Sequence, residues 1–270
     1  MIKPKVCLTI AGLDPSGGAG IIADIKTFST FGCYATAAIA SITFQNTTGV
    51  FGAVHQTAET IRGQVEPVLK DFHVAAVKTG MLPTREVIEE TARLIRENDL
   101  TNIVVDPVVR STSGFDLIDD VALTALIELL FPISSIVTPN IQEAERITGV
   151  SIRTVEDIVN SATMIRSMGA DNVLIKGGHF EAETISRQKV RDYLFTDEGR
   201  TVFDADYIDT TSTHGTGCTL AAAIAANLAL GKDLKDAISI SKSFVNEAIR
   251  TAPDLGSGHS PINIPNSFIE

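Results

Sequence analysis

The chain has 270 residues, 44% of them apolar and 20% charged, with 20 Gly and 10 Pro; it is long enough for one sizeable core and too apolar to be disordered. Its 22 basic residues stand against 33 acidic ones, a net charge of −11, and without a Lys/Arg cluster that field disfavours nucleic acid and anionic membrane as partners. Cys7, Cys33 and Cys218 are too few and too scattered for a disulfide framework or a zinc site, which fits a reducing cytoplasm.

Met1-Ile-Lys-Pro-Lys leads into a run of only six residues, Val6 to Ala11, too few for a signal-peptide core. The run Val6–Ala11 predicts a strand buried on both faces, followed by an amphipathic helix over Ala19–Phe31 and by strands between Tyr34 and His55. Helices at Ala58–Lys70, Arg85–Asn98, Val121–Leu130 and Val155–Met168 then alternate with strands at Ala75–Thr79, Asn102–Asp106, Ser135–Thr138 and Asn172–Lys176. Arg187–Tyr207 reads as two strands around the turn Thr196-Asp-Glu-Gly199, and two helices, Thr216–Ala229 and Leu234–Arg250, close the chain. The longest apolar stretch, Cys218–Leu230, falls short of the roughly 20 residues that span a bilayer. Strand–helix alternation without a repeat or a Pro/Ser-rich linker predicts one α/β domain over residues 1–270, a mainly parallel sheet with helices on both faces.

Two glycine-rich loops open helices. In Gly12-Leu-Asp-Pro-Ser-Gly-Gly-Ala-Gly20, the segment Gly18-Ala-Gly20-Ile-Ile-Ala23 matches a dinucleotide fingerprint. The ribose-binding acid expected about 20 residues on is missing, however, because no Asp or Glu lies between Ile25 and Ala58. No Lys-Ser/Thr follows the glycines, so a P-loop fails too, while a tight strand-to-helix turn accounts for the same residues. In Thr213-His-Gly-Thr-Gly-Cys218, Gly215 and Gly217 free amides that receive an anion at a helix N-terminus, and the helix dipole there is expected to hold Cys218 as a thiolate. Packing of a small residue into the turn explains a lone cysteine equally well.

Parallel sheets bind ligands beyond the carboxyl ends of their strands. There the sequence places Asp106-Pro107, Pro139-Asn140 with Glu143 one helical turn on, Lys176-Gly-Gly-His179 and Lys78-Thr-Gly-Met81. A turn or a helix cap accounts for any one of them. Together, carboxylates suited to Mg²⁺ and a lysine suited to phosphate point to phosphoryl transfer from a nucleotide. The five histidines show no metal-ligand spacing, and Ser16 and Ser113 lack a nucleophile-elbow setting.

Ala11-Gly-Leu-Asp-Pro-Ser-Gly-Gly-Ala-Gly20, Ala23-Asp-Ile-Lys-Thr-Phe28, Phe44-Gln-Asn-Thr47, Lys78-Thr-Gly-Met81, Thr138-Pro-Asn140, Lys176-Gly-Gly-His179 and His214-Gly-Thr-Gly-Cys218 follow one another in order. This set resembles the hydroxymethylpyrimidine/phosphomethylpyrimidine kinases of thiamine biosynthesis, in the ribokinase superfamily, over about residues 5 to 262. The resemblance implies a three-layer α/β/α sandwich with a central, mostly parallel sheet of about eight strands, a cytoplasmic homodimer, and ATP with Mg²⁺. By position it implies that Gln45 hydrogen-bonds the aminopyrimidine edge, with Asp24, Gly12, Met81 and Val108 lining that pocket. Asp106, Asn140, Glu143, Lys176 and Thr213 fall on the nucleotide side, Asp106 and Glu143 toward the metal. Gly215 and Gly217 form the anion hole with Lys176 nearby, and Cys218 is the base. Pyridoxal kinases share much of this scaffold; Gln45-Asn46 favours the pyrimidine, and a non-catalytic pyrimidine sensor is a third reading. Two departures stand out: Val108-Val-Arg-Ser-Thr-Ser-Gly114 lacks a Lys-Ser-Gly ending, and Gly258-His-Ser-Pro261 replaces Gly-His-Gly-Pro.

Overall fold

Consecutive apolar residues along a strand leave the sheet on opposite sides, so runs of the kind predicted here need helices over both faces. The computed structural model describes residues 3–110, 114, 116–178 and 189–265 and meets that requirement. Its strands are β1 (Val6–Leu13), β2 (Tyr34–Asn46), β3 (Gly49–His55), β4 (Val74–Thr79), β5 (Ile103–Val105), β6 (Ile136–Val137), β7 (Val173–Lys176), β8 (Lys189–Thr196) and β9 (Gly199–Asp206). Its helices are α1 (Gly20–Thr30), α2 (Ala58–Asp71), α3 (Arg85–Glu97), α4 (Asp120–Leu129), α5 (Ile141–Thr148), α6 (Val155–Ser167), α7 (Thr216–Ala229) and α8 (Leu234–Arg250).

The strands form one sheet in the order β3-β2-β1-β4-β5-β6-β7-β8-β9. The neighbours from β2 to β7 pair in parallel, while β3, β8 and β9 are added antiparallel at the edges. Side-chain alternation sorts two cores. Leu8, Val77, Ile103, Val105, Val137, Val173 and Ile175 pack with α2 to α6. Cys7, Ala76, Val104, Ile136 and Leu174 pack with α1, α7 and α8, where Ala221, Ala222, Ala223, Ala225 and Ala226 of α7 are all fully buried. Over the second face the helix lying against the central strands, α7, thus contributes mainly alanine side chains. The chain leaves β1 toward β2 but leaves β4 toward β5, so the adjacent strands β1 and β4 flank the switch point where open α/β sheets form their ligand crevice.

The three layers agree with expectation, and the described sheet has nine strands where the resemblance implied about eight. Helix α5 was not foreseen as an element. Its N-terminus is a reciprocal capping box between Asn140 and Glu143, and Gly149 ends it at φ 72°, so the pattern Asn-x-x-Glu was its readable mark. Strand β6 keeps two of the four predicted residues, because Thr138 runs straight into Pro139, which has no N–H for a ladder. His179, Ser111 to Ser113, and the first two residues of the predicted 187–207 hairpin lie outside the described residues. Among the described residues no helix is long and apolar enough to cross a membrane.

Candidate active site

The crevice between β1 and β4 opens over Gly12 and Met81. A β-carbon on Gly12 would stand 3.1 Å from Met81 Sδ, so the two form one wall. Behind them Asp24, on α1, is fully buried. Its Oδ2 accepts hydrogen bonds from Thr9 Oγ1 at 2.6 Å and from Lys78 Nζ at 2.9 Å, while Oδ1 has no partner among the described residues. Burial pushes the Asp24 carboxyl above its usual range, although Lys78 and Thr9 oppose the shift. For Lys78, itself fully buried, burial pulls downward, but the negative charges of Asp24 and Asp106 prevail and the ammonium is held above its ordinary value.

A second charge cluster lies at the ends of β5, β6 and β7. Lys176 Nζ donates to Asp106 Oδ1 at 2.9 Å and stands 3.7 Å from Glu143 Oε2; both carboxylates are buried. Thr138 Oγ1 lies 3.3 Å from the same Asp106 oxygen. Burial raises Glu143 to about 7, Asp106 adds to the rise and Lys176 opposes it. Asn140 Oδ1 accepts the Glu143 N–H at 2.9 Å, and Glu143 Oε2 accepts the Asn140 N–H at 2.7 Å. The carbonyl end of Asn140 is therefore engaged in capping α5, which leaves only its NH₂ for a ligand. Next along the chain, the Gly177 N–H donates to Asp192 Oδ1 at 3.0 Å, and Asp192 Oδ2 accepts from Lys242 Nζ at 2.6 Å, a buried brace that fixes the backbone behind Lys176.

Helix α7 starts between these clusters. Its N-cap, Gly215, has φ 89°, and a β-carbon there would lie 1.8 Å from the carbonyl oxygen of Gly18, so the turn admits only glycine. No side chain caps the helix; the Thr216 N–H turns back to the Thr213 carbonyl at 3.3 Å, and the amides of Gly217 and Cys218 are left to face an anion. At Gly217 a β-carbon would stand 3.3 Å from Lys176 Nζ and 3.9 Å from Asp106 Oδ2. The anion-hole loop, the lysine and the carboxylate therefore meet at one point. Cys218 follows, half-buried, with the Gly20 amide at the start of α1 hydrogen-bonded to its sulfur.

The expectation of a resting thiolate is overturned. Burial pushes the Cys218 thiol up to about 11; Lys78 opposes, Asp106 and Asp24 add to the rise, and the Gly20 N–H pulls downward. The helix terminus is present, but desolvation and two carboxylates outweigh it and favour the thiol over the thiolate at neutral pH.

Among the remaining expected residues, Val108 is half-buried beside Asp106, its N–H donating to the Asp106 carbonyl at 2.8 Å. Thr213 forms the turn before α7, with its N–H on the Thr211 carbonyl at 3.0 Å. Gln45 sits near the end of β2, with its carboxamide 3.1 Å from Thr43 Oγ1 and 3.4 Å from His214 Nε2. His214 Nε2 in turn lies 2.7 Å from Asp14 Oδ2. Where Ser260 replaces the usual glycine the turn persists, because its hydroxyl accepts the Leu255 N–H at 2.8 Å and its carbonyl accepts the His214 N–H at 3.2 Å.

Thr9, Asp14, Lys78 and His214 were not singled out from sequence as site residues, although the last three lie inside the motifs. Lys78 had a visible mark, a lone cation inside the apolar run Ala75–Thr79. His214 and Asp14 are 200 residues apart and had none. Among the described residues no group of three or more His, Cys, Asp or Glu is arranged to hold a metal ion.

Comparison with known proteins points to one family and one fold. The sequence pattern of the family described as phosphomethylpyrimidine kinase matches residues 14–263. A hydroxymethylpyrimidine/phosphomethylpyrimidine kinase of Bacillus subtilis is 43% identical over 256 residues, covering 95% of this chain and 93% of its own length. A phosphomethylpyrimidine kinase structure from Clostridium difficile superposes with TM-score 0.78 at 40% identity, over 91% of this chain and 99% of its own. An ADP complex of Bacillus subtilis pyridoxal kinase superposes with TM-score 0.87 at 36% identity, over 97% of each chain.

Proposed function

The chain belongs to the phosphomethylpyrimidine kinase family, and from that premise we propose how its residues divide the work. It is an ATP-dependent hydroxymethylpyrimidine and phosphomethylpyrimidine kinase of thiamine biosynthesis. It converts 4-amino-5-hydroxymethyl-2-methylpyrimidine to the monophosphate and then to the diphosphate. One observation carries the assignment of roles: Lys176, Asp106 and the Gly217 turn converge at the N-terminus that also bears Cys218. In this reading Lys176 and the open amides around Gly215 and Gly217 hold the transferred phosphoryl group by charge and hydrogen bonding. Gln45 meets the aminopyrimidine, with Gly12, Met81 and Val108 as apolar walls; Asp24, expected in the same lining, is fully buried behind them and acts through Lys78. Asn140 and Thr213 lie toward the nucleotide. A single kinase domain acting as a cytoplasmic homodimer completes the reading.

The donor set suits Mg²⁺. Two carboxylates, Asp106 and Glu143, flank one lysine, and an ion that takes one or two carboxylates together with substrate phosphates needs no larger protein cage. When bound, the ion supplies charge neutralisation at the phosphates; Asp106 and Glu143 would hold it. With Glu143 raised to about 7, lowering the pH from 8 to 6 protonates it and removes a negative charge from that side. The KM for magnesium nucleotide is therefore expected to climb over this interval. Glu143→Gln is expected to abolish the pH dependence and hold KM at the high value. Stability runs with a matching sign. A carboxyl raised by folding favours the folded state most below its unfolded value and loses that contribution as pH rises through about 7. Glu143→Gln should therefore gain stability relative to the parent between pH 5 and 8, measured by thermal unfolding.

The likeness to a pyridoxal kinase favours a second activity on the same scaffold. Turnover of hydroxymethylpyrimidine, its monophosphate and pyridoxal in parallel, with products identified by mass, tests the reading. Diphosphate from both pyrimidines with slow pyridoxal turnover is expected. Pyridoxal phosphate as the main product would overturn the substrate, and no product from any of the three would turn the site into a binding site.

A further inference from the structure

One buried pair within the crevice has no part in phosphoryl transfer. Asp14 Oδ1 accepts from the Ser16 N–H at 2.8 Å and the Ser16 hydroxyl at 2.7 Å, and Oδ2 accepts from the Ala19 N–H at 3.0 Å. With both oxygens receiving donors, Asp14 is an anionic acceptor. Burial works against that charge, but His214 and Ser16 outweigh it and hold the carboxyl below its usual range. The 2.7 Å contact from His214 Nε2 to Oδ2 therefore places a proton on Nε2, and that nitrogen accepts nothing. His214 is fixed in place as well: it is buried, and a β-carbon on Gly18 would come within 2.4 Å of its Cδ2, so the loop glycine presses against the ring.

The other neighbour of Nε2, at 3.4 Å, is the carboxamide of Gln45. The two ends of a carboxamide have the same shape, so its partners decide which way it lies. With nitrogen toward His214, two donors face each other. The Thr43 hydroxyl, with one proton, must then choose between the Leu13 carbonyl at 3.1 Å and the Gln45 oxygen at 3.1 Å. With the amide turned over, its oxygen faces the Nε2–H, which stays on Asp14 and is at most shared, the amide nitrogen donates to Thr43 Oγ1, and Thr43 donates to Leu13. No donor then faces a donor and no acceptor an acceptor.

We propose that His214, held by Asp14, is a specificity-determining positioning residue: it fixes the Gln45 carboxamide with oxygen toward His214 and nitrogen toward Thr43. This rests on the reading of Gln45 as the ring-edge contact. One N–H and one oxygen lone pair of Gln45 then remain, in a fixed order, for the substrate. A 4-aminopyrimidine carries an amine donor beside a ring-nitrogen acceptor and satisfies both. Pyridoxal, laid with its 5-hydroxymethyl group in the same place, presents a formyl acceptor where the pyrimidine has its amine and a hydroxyl donor where it has the ring nitrogen, the reverse order. A reversed amide would pair only with a ring turned over, which carries the 5-hydroxymethyl group away from Cys218. His214 thus serves the choice of ring and its orientation, not the chemical step.

The test compares kcat/KM for hydroxymethylpyrimidine with that for pyridoxal in each variant. His214→Leu is expected to reduce this ratio about tenfold, mainly through KM for the pyrimidine, as for one or two lost hydrogen bonds. His214→Gln, which keeps a donor at similar reach, should stay within about threefold of the parent. Thr43→Val removes the partner at the other end of the amide without changing volume, and should lower the ratio about fivefold; it carries the test should His214→Leu fail to fold. In a Gln45→Ala background both changes should leave the ratio unmoved. An unchanged ratio in both single variants, or an equal drop that persists without Gln45, overturns the proposal while leaving the substrate reading intact. A parent enzyme that itself prefers pyridoxal overturns the substrate reading and the proposal with it.

Discussion

Replacing Cys218 by alanine is expected to slow phosphorylation of the pyrimidine alcohol by roughly 10²- to 10⁴-fold, the span of a lost general base, and to leave phosphorylation of the monophosphate within about fivefold. A primary alcohol is a poor nucleophile until its proton is taken, whereas the phosphate oxygen of the monophosphate is already anionic. At rest the thiol is raised to about 11 by burial, with Asp106 and Asp24 adding to the rise. Asp106 is also a carboxylate proposed to face the metal, so taking up its charge removes one of the influences that keep the sulfur protonated, while Lys78 and the Gly20 amide go on favouring the thiolate. The sign follows: the first step should accelerate as pH rises from 6 to 9, and in Cys218→Ala that acceleration should vanish. Rates for each step measured separately check this. Equal losses in both steps would leave Cys218 a residue of the anion site, with no role as base.

The largest effect on stability is expected at Lys78. Lys78→Met leaves Asp24 buried with Thr9 as its hydrogen-bond donor and no cation, a broken buried pair of the sort that costs about 3–5 kcal/mol. Burial already pushes the Asp24 carboxyl upward; without Lys78 it rises further and becomes protonated on folding. The penalty is therefore smallest at low pH and grows as pH climbs through the raised value. Adding Asp24→Asn removes the unpaired charge and should recover most of the lost stability. Denaturant titrations at pH 5 and pH 8 on the single and double variants decide the matter: a deficit independent of pH, or one not relieved by Asp24→Asn, would mean that Lys78 stabilises by packing alone.

The architecture was legible because buried parallel strands write themselves as short apolar runs. Ala75–Thr79 and Asn172–Lys176 fell within a residue of β4 and β7, and α7 and α8 fell where predicted. Helix α5 was missed because eight residues after a proline carry too few turns to show a period. The nucleotide side was readable one strand end at a time, since Asp106 follows β5 and Lys176 closes β7, strands that the topology sets on either side of β6 in the same sheet. What could not be read was electrostatic. The position of Cys218 at a helix start said thiolate, but Asp106, Asp24 and the buried surroundings that reverse this come from other elements. The pairing of His214 with Asp14 and Gln45 was hidden for the same reason: all three lie in quoted motifs, and only the folded chain brings them within 3.4 Å.

The unequal faces of the sheet also bear on how the chain avoids folding errors. A slip of one residue in β5 would carry Ile103 and Val105 across the sheet to the face of Val104, under the alanine-rich α7 and against Ala76. Overpacking there costs about 1–3 kcal/mol for each intruding side chain, while vacancies open on the opposite side. Were both faces lined alike, a shifted strand would bury its apolar side chains nearly as well, and the shifted and native forms would compete. The alanines of α7 thus do more than let a helix sit close: they make a misregistered sheet the wrong shape.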